Sequence, residues 1–245
     1  MALTISVIVC AYNEASYLPA CLHSLFAQTR IPDQVIVVDN ASTDKTAALA
    51  RRMAGVEVVN EPRKGLVSAR EAGRRHARGD VLVYLDADCR APIWWLDRIE
   101  RRFASNATLV GLSGPYRFYD WDVWGRLLVR TYDVTLAPAT QLLVSHLLHL
   151  GAVFYGGNFA ARRGALASVG GFDTTIEFHG EDTNIGRRLR AVGPVALCNE
   201  CFLYTSARRY VAMGKKAVFG LYIRNFTSEL LWHRPSDTTH VDVRL

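Results

Sequence analysis

Short runs of aliphatic, largely β-branched residues recur through the first hundred positions, each followed by a segment of helical periodicity. The runs are residues 5–10, 34–39, 56–60 and 81–86, and the helical patterns cover 17–27, 43–53 and 67–77. Ser42 or Thr43 is placed to cap the second helix. A strand without polar alternation must be covered on both faces, and strands separated by helices are joined by crossovers. The chain is therefore expected to form an α/β fold, a Rossmann-like and mostly parallel central sheet flanked by helices. Ligands of such sheets collect at the C-terminal ends of the strands. Residues 12–14, 39–44, 62–65 and 86–88 should then border one crevice.

Past about residue 105 the rhythm changes. Residues 109–114 and 153–160 read as strands, 121–150 as mostly helix, 182–191 as a helix after Gly170-Gly171, and 208–232 as a helical tail with a basic face. No internal repeat, low-complexity tract or Pro/Ser-rich linker divides the chain. A single domain is expected, with residues 1–105 as a nucleotide-binding half and 106–245 as an acceptor half with C-terminal helices. A chain of 245 residues, 50% hydrophobic and 21% charged, can bury one large core and is not a disordered sequence. Its 29 Lys+Arg against 23 Asp+Glu give a net charge of +6, which favours anionic partners without choosing among them.

Five cysteines are odd in number, in a chain too large to need a disulfide framework; Cys198-x-x-Cys201 lacks the two further ligands of a zinc site and reads as structural or reduced thiols. The N-terminus carries no basic region ahead of its apolar run, so it reads as a strand, and a cytoplasmic protein is expected. Residues 134–161 contain no Asp, Glu, Lys or Arg, enough on paper to span a bilayer. Gln141, Ser145 and His149 nevertheless form a polar stripe among Leu142, Leu143, Leu147 and Leu150. A buried, dimer-forming or membrane-surface helix is expected there. Trp121, Trp124 and the basic tail are compatible with peripheral docking on an anionic membrane face, and a homodimer interface accounts for them equally.

The chemistry is concentrated in acids at strand and helix ends. Asp86-Ala87-Asp88 closes an apolar run, and residues i and i+2 of an extended segment point the same way. Paired carboxylates of this kind suit Mg²⁺ or Mn²⁺. Asp39 ends the second run and is placed to accept from a ribose hydroxyl or a base N–H. Asp44 reads as a helix cap. Arg63, Lys64 and Arg70 bring positive charge beside the crevice, and Gly65 allows close backbone approach. His179-Gly180-Glu181-Asp182 opens a helix whose dipole favours carboxylates, either as a cap or as a general base. Arg208 and Arg209 read as a diphosphate clamp.

Together these motifs resemble the family 2 glycosyltransferases, inverting enzymes of the GT-A fold. The resemblance covers most of the chain: SVIVCAYNEASYL at 6–18, VIVVDNASTDKT at 35–46, PRKGLVSAREAG at 62–73, LDAD at 85–88, GGNFAARR at 156–163, GGFD at 170–173, GEDTNIGRRL at 180–189 and TSARRY at 205–210. It implies that Ala11, Tyr12, Glu14 and Asp39 hold the nucleoside and that Arg63 and Arg70 lie near the base or phosphates. It further implies that Asp86 contacts sugar or ribose, that Asp88 ligates the metal on the diphosphate, and that Asp182, beside Glu181, activates the acceptor. The implied reaction moves a sugar from a nucleotide-diphospho-sugar donor to a sugar or lipid-linked acceptor, as in cell-envelope glycan or glycolipid synthesis. Two departures stand out. The Gln-x-x-Arg-Trp motif of processive members is absent, and no histidine near the C-terminus presents itself as a further metal ligand. A phosphatase would want its Asp-x-Asp on the first strand, and a nucleotidyltransferase would want a Gly-rich N-terminal phosphate loop. The alternative is a catalytically inactive nucleotide-sugar-binding protein. No nucleic-acid partner is expected, since no zinc finger or helix-turn-helix is present.

Overall fold

The computed structural model describes residues 3–176 and 178–238. Strands β1 (Ile5–Ala11), β2 (Gln34–Asp39), β3 (Val56–Asn60) and β4 (Val81–Asp86) pair in parallel in the order β3-β2-β1-β4. Between them run α1 (Leu18–Phe26), α2 (Thr46–Arg52) and α3 (Leu66–His76), and α4 (Trp95–Ser105) follows β4. Period-two geometry divides each buried strand between two cores. Ile5, Val7, Val9, Val35, Val37, Val81 and Val83 meet α1 and α4 through Leu22, Trp95 and Phe103 on one face. Ile8, Ile36, Val38, Leu82 and Tyr84 meet α3 and later helices on the other. Continuous apolar runs are therefore what the expected sheet requires.

The second half extends the same sheet. β5 (Gly111–Ser113) and a short β6 (Tyr116–Phe118) lead to α5 (Val123–Val134), α6 (Leu136–Gln141) and a π-helical turn at Leu142–Leu147. β7 (Asn158–Arg162) then inserts between β4 and β5, antiparallel to both. α7 (Arg163–Ser168), α8 (Glu181–Val192), β8 (Val195–Leu197) beside β5, β9 (Leu203–Thr205) beside β6, α9 (Arg208–Met213) and α10 (Lys215–Trp232) complete the described chain. The seven-stranded order is β3-β2-β1-β4-β7-β5-β8, with β6 and β9 as a separate parallel pair.

Several sequence expectations are corrected. The strand expected at 153–160 begins only at Asn158, after a turn at Gly156-Gly157. The second helix starts at Thr46 and not at the Ser42 or Thr43 cap, because the Asp44 carboxylate accepts from Thr46 N at 2.8 Å. The helical tail breaks at Gly214, whose φ of +83° suits glycine. Cys198 and Cys201 are joined as a disulfide in the turn before β9. No described helix is long and apolar enough to cross a membrane. Of the expected polar stripe, Gln141 and Ser145 face inward, Gln141 Nε2 donating to Val195 O at 2.9 Å and its Oε1 accepting from Val153 N at 2.7 Å, whereas His149 lies beyond the turn and is exposed. Trp121 is buried against Phe118 and Tyr210, whereas Trp124 is exposed.

α3 lies close on the sheet at Gly73, where a Cβ would sit 2.4 Å from Ile8 Cγ2 and 3.3 Å from Val38 Cγ2. Gly73→Ala is expected to destabilise the protein by about 1–3 kcal/mol through overpacking, despite alanine's better helix propensity. A lower urea midpoint at unchanged slope is the readout. A midpoint equal to or above wild type would refute the close approach.

Candidate active site

The strand order reverses between β1 and β4, which opens a crevice at their C-terminal ends. Ala11 pairs with Asp39 across β1 and β2, and Cys10 pairs with Asp86 across β1 and β4. Asp39 is buried, and among the described residues its Oδ1 has no hydrogen-bond partner. A buried acceptor left open in this way is suited to an N–H or hydroxyl from a ligand. Asn40 fixes the rim, donating from Nδ2 to Glu61 O and Arg63 O while its Oδ1 accepts from Gly65 N at 2.8 Å. Lys64 Nζ donates to Tyr12 OH at 2.8 Å and lies over the Tyr12 ring. Arg63 is mostly exposed and pairs with Glu61 at 3.1 Å, so it stands at the edge of the crevice.

Arg70, expected beside base or phosphates, lies behind the acids. Its side chain is 2% exposed, with Nη1 2.7 Å from Glu181 Oε1 and Nη2 3.6 Å from Asp86 Oδ1. Burial alone would lower its pKa; the charges of Glu181 and Asp86 reverse that and raise it, so the guanidinium stays charged. The turn before β7 brings backbone against the same group. A Cβ on Gly156 would sit 2.9 Å from Glu181 Oε1, and one on Gly157 would sit 2.0 Å from Asp86 Oδ2. Only hydrogen fits there, and that is how an Asp on β4 and the acids of α8 come to share one site.

Glu181 and Asp182 occupy the first turn of α8 behind Gly180, whose φ is +88°. Burial raises the Glu181 pKa, with help from Asp182 and against Arg70. Burial likewise raises Asp182, against the hydrogen bond it accepts from Thr183 N at 2.7 Å. Asp88 is partly buried beyond Ala87, and its carboxyl is pushed up to about 6 by desolvation, with Arg208 opposing the rise and Asp86 and Glu14 adding to it.

Arg208 closes the crevice from the other side. It pairs with Glu14 and with Asp88, the latter at 3.0 Å, and lies over the Tyr17 ring. Arg209 instead stacks over Phe178 and donates to Tyr222 OH at 3.3 Å. Asp120 sets this turn by accepting from Ala207 N at 2.6 Å and from Ser206 Oγ. The hard oxygens of Asp86 and Asp88 fit Mg²⁺ or Mn²⁺ in chemistry. No group of three or more His, Cys, Asp or Glu able to hold an ion occurs among the described residues. The set fits a cation whose shell is completed by water and phosphate.

Some site residues were not singled out from the sequence. Tyr155 OH donates to the buried Asp133 carboxylate at 2.7 Å, and its ring meets Tyr116 edge-on. The Tyr116 hydroxyl in turn lies 2.5 Å from where a Gly157 Cβ would be. These aromatics sit in apolar context and carry no motif. Asp120, by contrast, follows a short strand and was a visible signal, while Gly156-Gly157 open the GGNFAARR motif.

The family model for glycosyl transferase family 2 matches residues 6–170. The glycosyltransferase AglE of Haloferax volcanii is 35% identical over 101 residues, 38% of this chain and 33% of that protein. Human polypeptide N-acetylgalactosaminyltransferase 6 is 36% identical over 116 residues, 44% of this chain and 19% of that protein. The chain thus spans a third or less of these curated relatives. Among solved structures, a mannosyltransferase from Pyrobaculum calidifontis in complex with GDP-Man and Mn²⁺ superposes with a TM-score of 0.69 at 23% identity, over 91% of this chain and 65% of that one. Glucosyl-3-phosphoglycerate synthase of Mycobacterium tuberculosis, with Mn²⁺, UDP-glucose and phosphoglyceric acid, gives 0.64 at 21% identity, over 94% and 79%. The fold is accordingly the GT-A fold.

Removing Arg70 leaves Asp86 and Glu181 without their buried countercharge. Arg70→Leu is expected to lose about 3–5 kcal/mol of stability near neutral pH. The missing cation lets the folded-state pKa of Glu181 rise further, and a raised carboxylate penalises folding above its unfolded-state pKa, the penalty growing until pH reaches the folded-state value. The deficit should therefore narrow as pH falls. Denaturation curves over a pH series check this, and a deficit that is absent or grows with acid would refute the bridge.

Proposed function

The chain belongs to glycosyl transferase family 2, and we propose that it transfers a sugar from a nucleotide-diphospho-sugar donor to an acceptor hydroxyl, with inversion at the anomeric carbon. The observation that carries this reading is the convergence of Asp39, Asp86, Asp88 and the Glu181-Asp182 pair on one crevice, with Arg70 bridging Asp86 and Glu181. Solved relatives hold GDP-Man or UDP-glucose with Mn²⁺, and a donor of that class is proposed here. Residues 1–105 would hold the donor and 106–245 the acceptor. The proposed setting is a cytoplasmic nucleotide-sugar pool feeding a sugar or lipid-linked acceptor.

Asp39 takes the nucleoside through its open oxygen, between Ala11 and the Tyr12–Lys64 pair. Arg208 exchanges its carboxylate partners for the donor diphosphate, and Arg209 adds positive potential from the α10 side. Asp86 and Asp88 would hold Mg²⁺ or Mn²⁺, which when bound neutralises charge on the leaving diphosphate. Glu181 is engaged by Arg70, so Asp182 is assigned the general base. It takes the acceptor hydroxyl proton as that oxygen attacks the anomeric carbon opposite the departing nucleoside diphosphate. Hydrogen bonds and charges that grow stronger toward the departing phosphate lower the barrier more than they tighten ground-state binding.

Asp182→Asn is expected to reduce turnover by about 10²–10⁴-fold while nucleoside-diphosphate binding persists in a thermal-shift assay. Retained turnover would remove Asp182 from the base role. Wild-type protein that binds donor and shows no transfer or hydrolysis would favour the inactive binding protein. Asp88→Ala should abolish the part of nucleotide stabilisation that EDTA removes from wild type, and an unchanged EDTA effect would sink its ligand role. Because a base must be deprotonated and burial raises this carboxylate pair, kcat/KM should begin to fall with acid at a pH above the ordinary Asp value. An acid limb near the ordinary Asp value would contradict the buried base.

A further inference from the structure

α5, α6 and the π-helical turn carry their polarity inside out. Ser145 is buried and accepts from Arg190 Nε at 3.0 Å, beside the inward Gln141. The outward face presents Trp124 at 75% exposure, Leu147 at 66% and Leu136 at 61%, with Leu127, Leu128 and Leu142 each more than half exposed. A surface helix in water has the opposite arrangement, and an exposed apolar patch of this extent marks a contact surface.

The charges around the patch are mainly positive, and the flanking acid Asp122 is held by Lys215. Between residues 123 and 151 the only acid is Asp133, which is buried against Tyr155. Arg126 and Arg130 are exposed on α5. The start of α10 lies alongside, through Phe219 packed on the Trp121–Val129 cluster and through the Lys215–Asp122 pair at 2.8 Å, and it adds the exposed Lys216. A second copy docked about a two-fold axis would set this cationic patch largely against itself, since the flanking Asp122 is already engaged by Lys215. An acidic lipid surface supplies both the apolar layer and the anionic headgroups.

We propose that the outward face of α5, α6 and the π-helical turn docks in the plane of an anionic bilayer leaflet, with Trp124 and the leucines in the acyl boundary and Arg126, Arg130 and Lys216 on the headgroups. The opposite side of α5 is tied to the crevice through Asp133, Tyr155 and Tyr116. Docking therefore presents the acceptor side of the site to the leaflet, and the acceptor class that follows is a hydroxyl carried on a lipid. That last step rests on the transferase reading; the docking itself does not.

Flotation with phosphatidylglycerol/phosphatidylcholine vesicles and with phosphatidylcholine alone tests the proposal, since it needs no turnover. The protein should float with the anionic vesicles at low salt. Leu127→Glu/Leu128→Glu should lose that association, and Arg126→Ala/Arg130→Ala should weaken it by about tenfold or more. Unchanged melting temperature in both variants, and a retained nucleoside-diphosphate shift, would separate loss of docking from loss of fold or of donor site. No flotation of wild type at low salt would overturn the proposal. So would a wild-type dimer in light scattering that Leu127→Glu/Leu128→Glu converts to monomer.

Discussion

A guanidinium that cannot shed its proton, sealed beneath two carboxylates from different segments, is the constraint around which the crevice is arranged. Arg70 is 2% exposed and joins Asp86, at the end of β4, to Glu181, at the start of α8. An isolated buried charge of this kind would be prohibitively unfavourable, and a single carboxylate would leave part of the guanidinium unsatisfied. With two partners the cation fixes the distance between the strand end and the helix end. That distance sets how the strand end and the helix end face each other in the crevice. The glycine pair before β7 is a dependent feature, because any side chain there would push into the same three groups.

The front of the crevice uses the opposite logic. Glu14, Asp88 and Arg208 form a network that is partly open to solvent, and Asp88 is destabilised as an anion by burial and by its acidic neighbours. A bound cation or a cationic side chain relieves that repulsion, so Asp88 is suited to exchanging partners, whereas Arg70 is suited to keeping them. One buried bridge and one more open pair thus lie within a few residues of sequence, at Asp86 and at Asp88.

Much of this was legible in the chain because the parallel strands announce their own ends. An unbroken apolar run closed by Asp39 or by Asp86 states both that the strand is buried and where its C-terminal end lies. Direction was not legible for β7, since residues 158–162 look alike whether read parallel or antiparallel and only the pairing with β4 and β5 decides it. Arg70 was visible as a charge but not as a buried one. It sits among Glu71, Arg74 and Arg75 on α3, and its burial is produced by acids that arrive from other segments. The stripe of Gln141 and Ser145 had the right period, yet its inward orientation depends on Val195, Val153 and Arg190. The Cys198–Cys201 bridge depends on a turn geometry that spacing alone leaves open.

The pairing of Arg208 with Glu14 joins residues 194 apart in sequence. Closing a flexible loop of that length costs on the order of 5 kcal/mol in chain entropy, so this contact cannot help to start folding. The β1–β4 sheet, built from neighbouring crossovers, can consolidate long before α9 is delivered to it, and contacts of such high order slow the final steps. The wall that Arg208 supplies to the crevice thus depends on a sheet already in place. A molecule caught partway along that route would already own its sheet and its strand-end acids, while the wall that Arg208 supplies would still be missing.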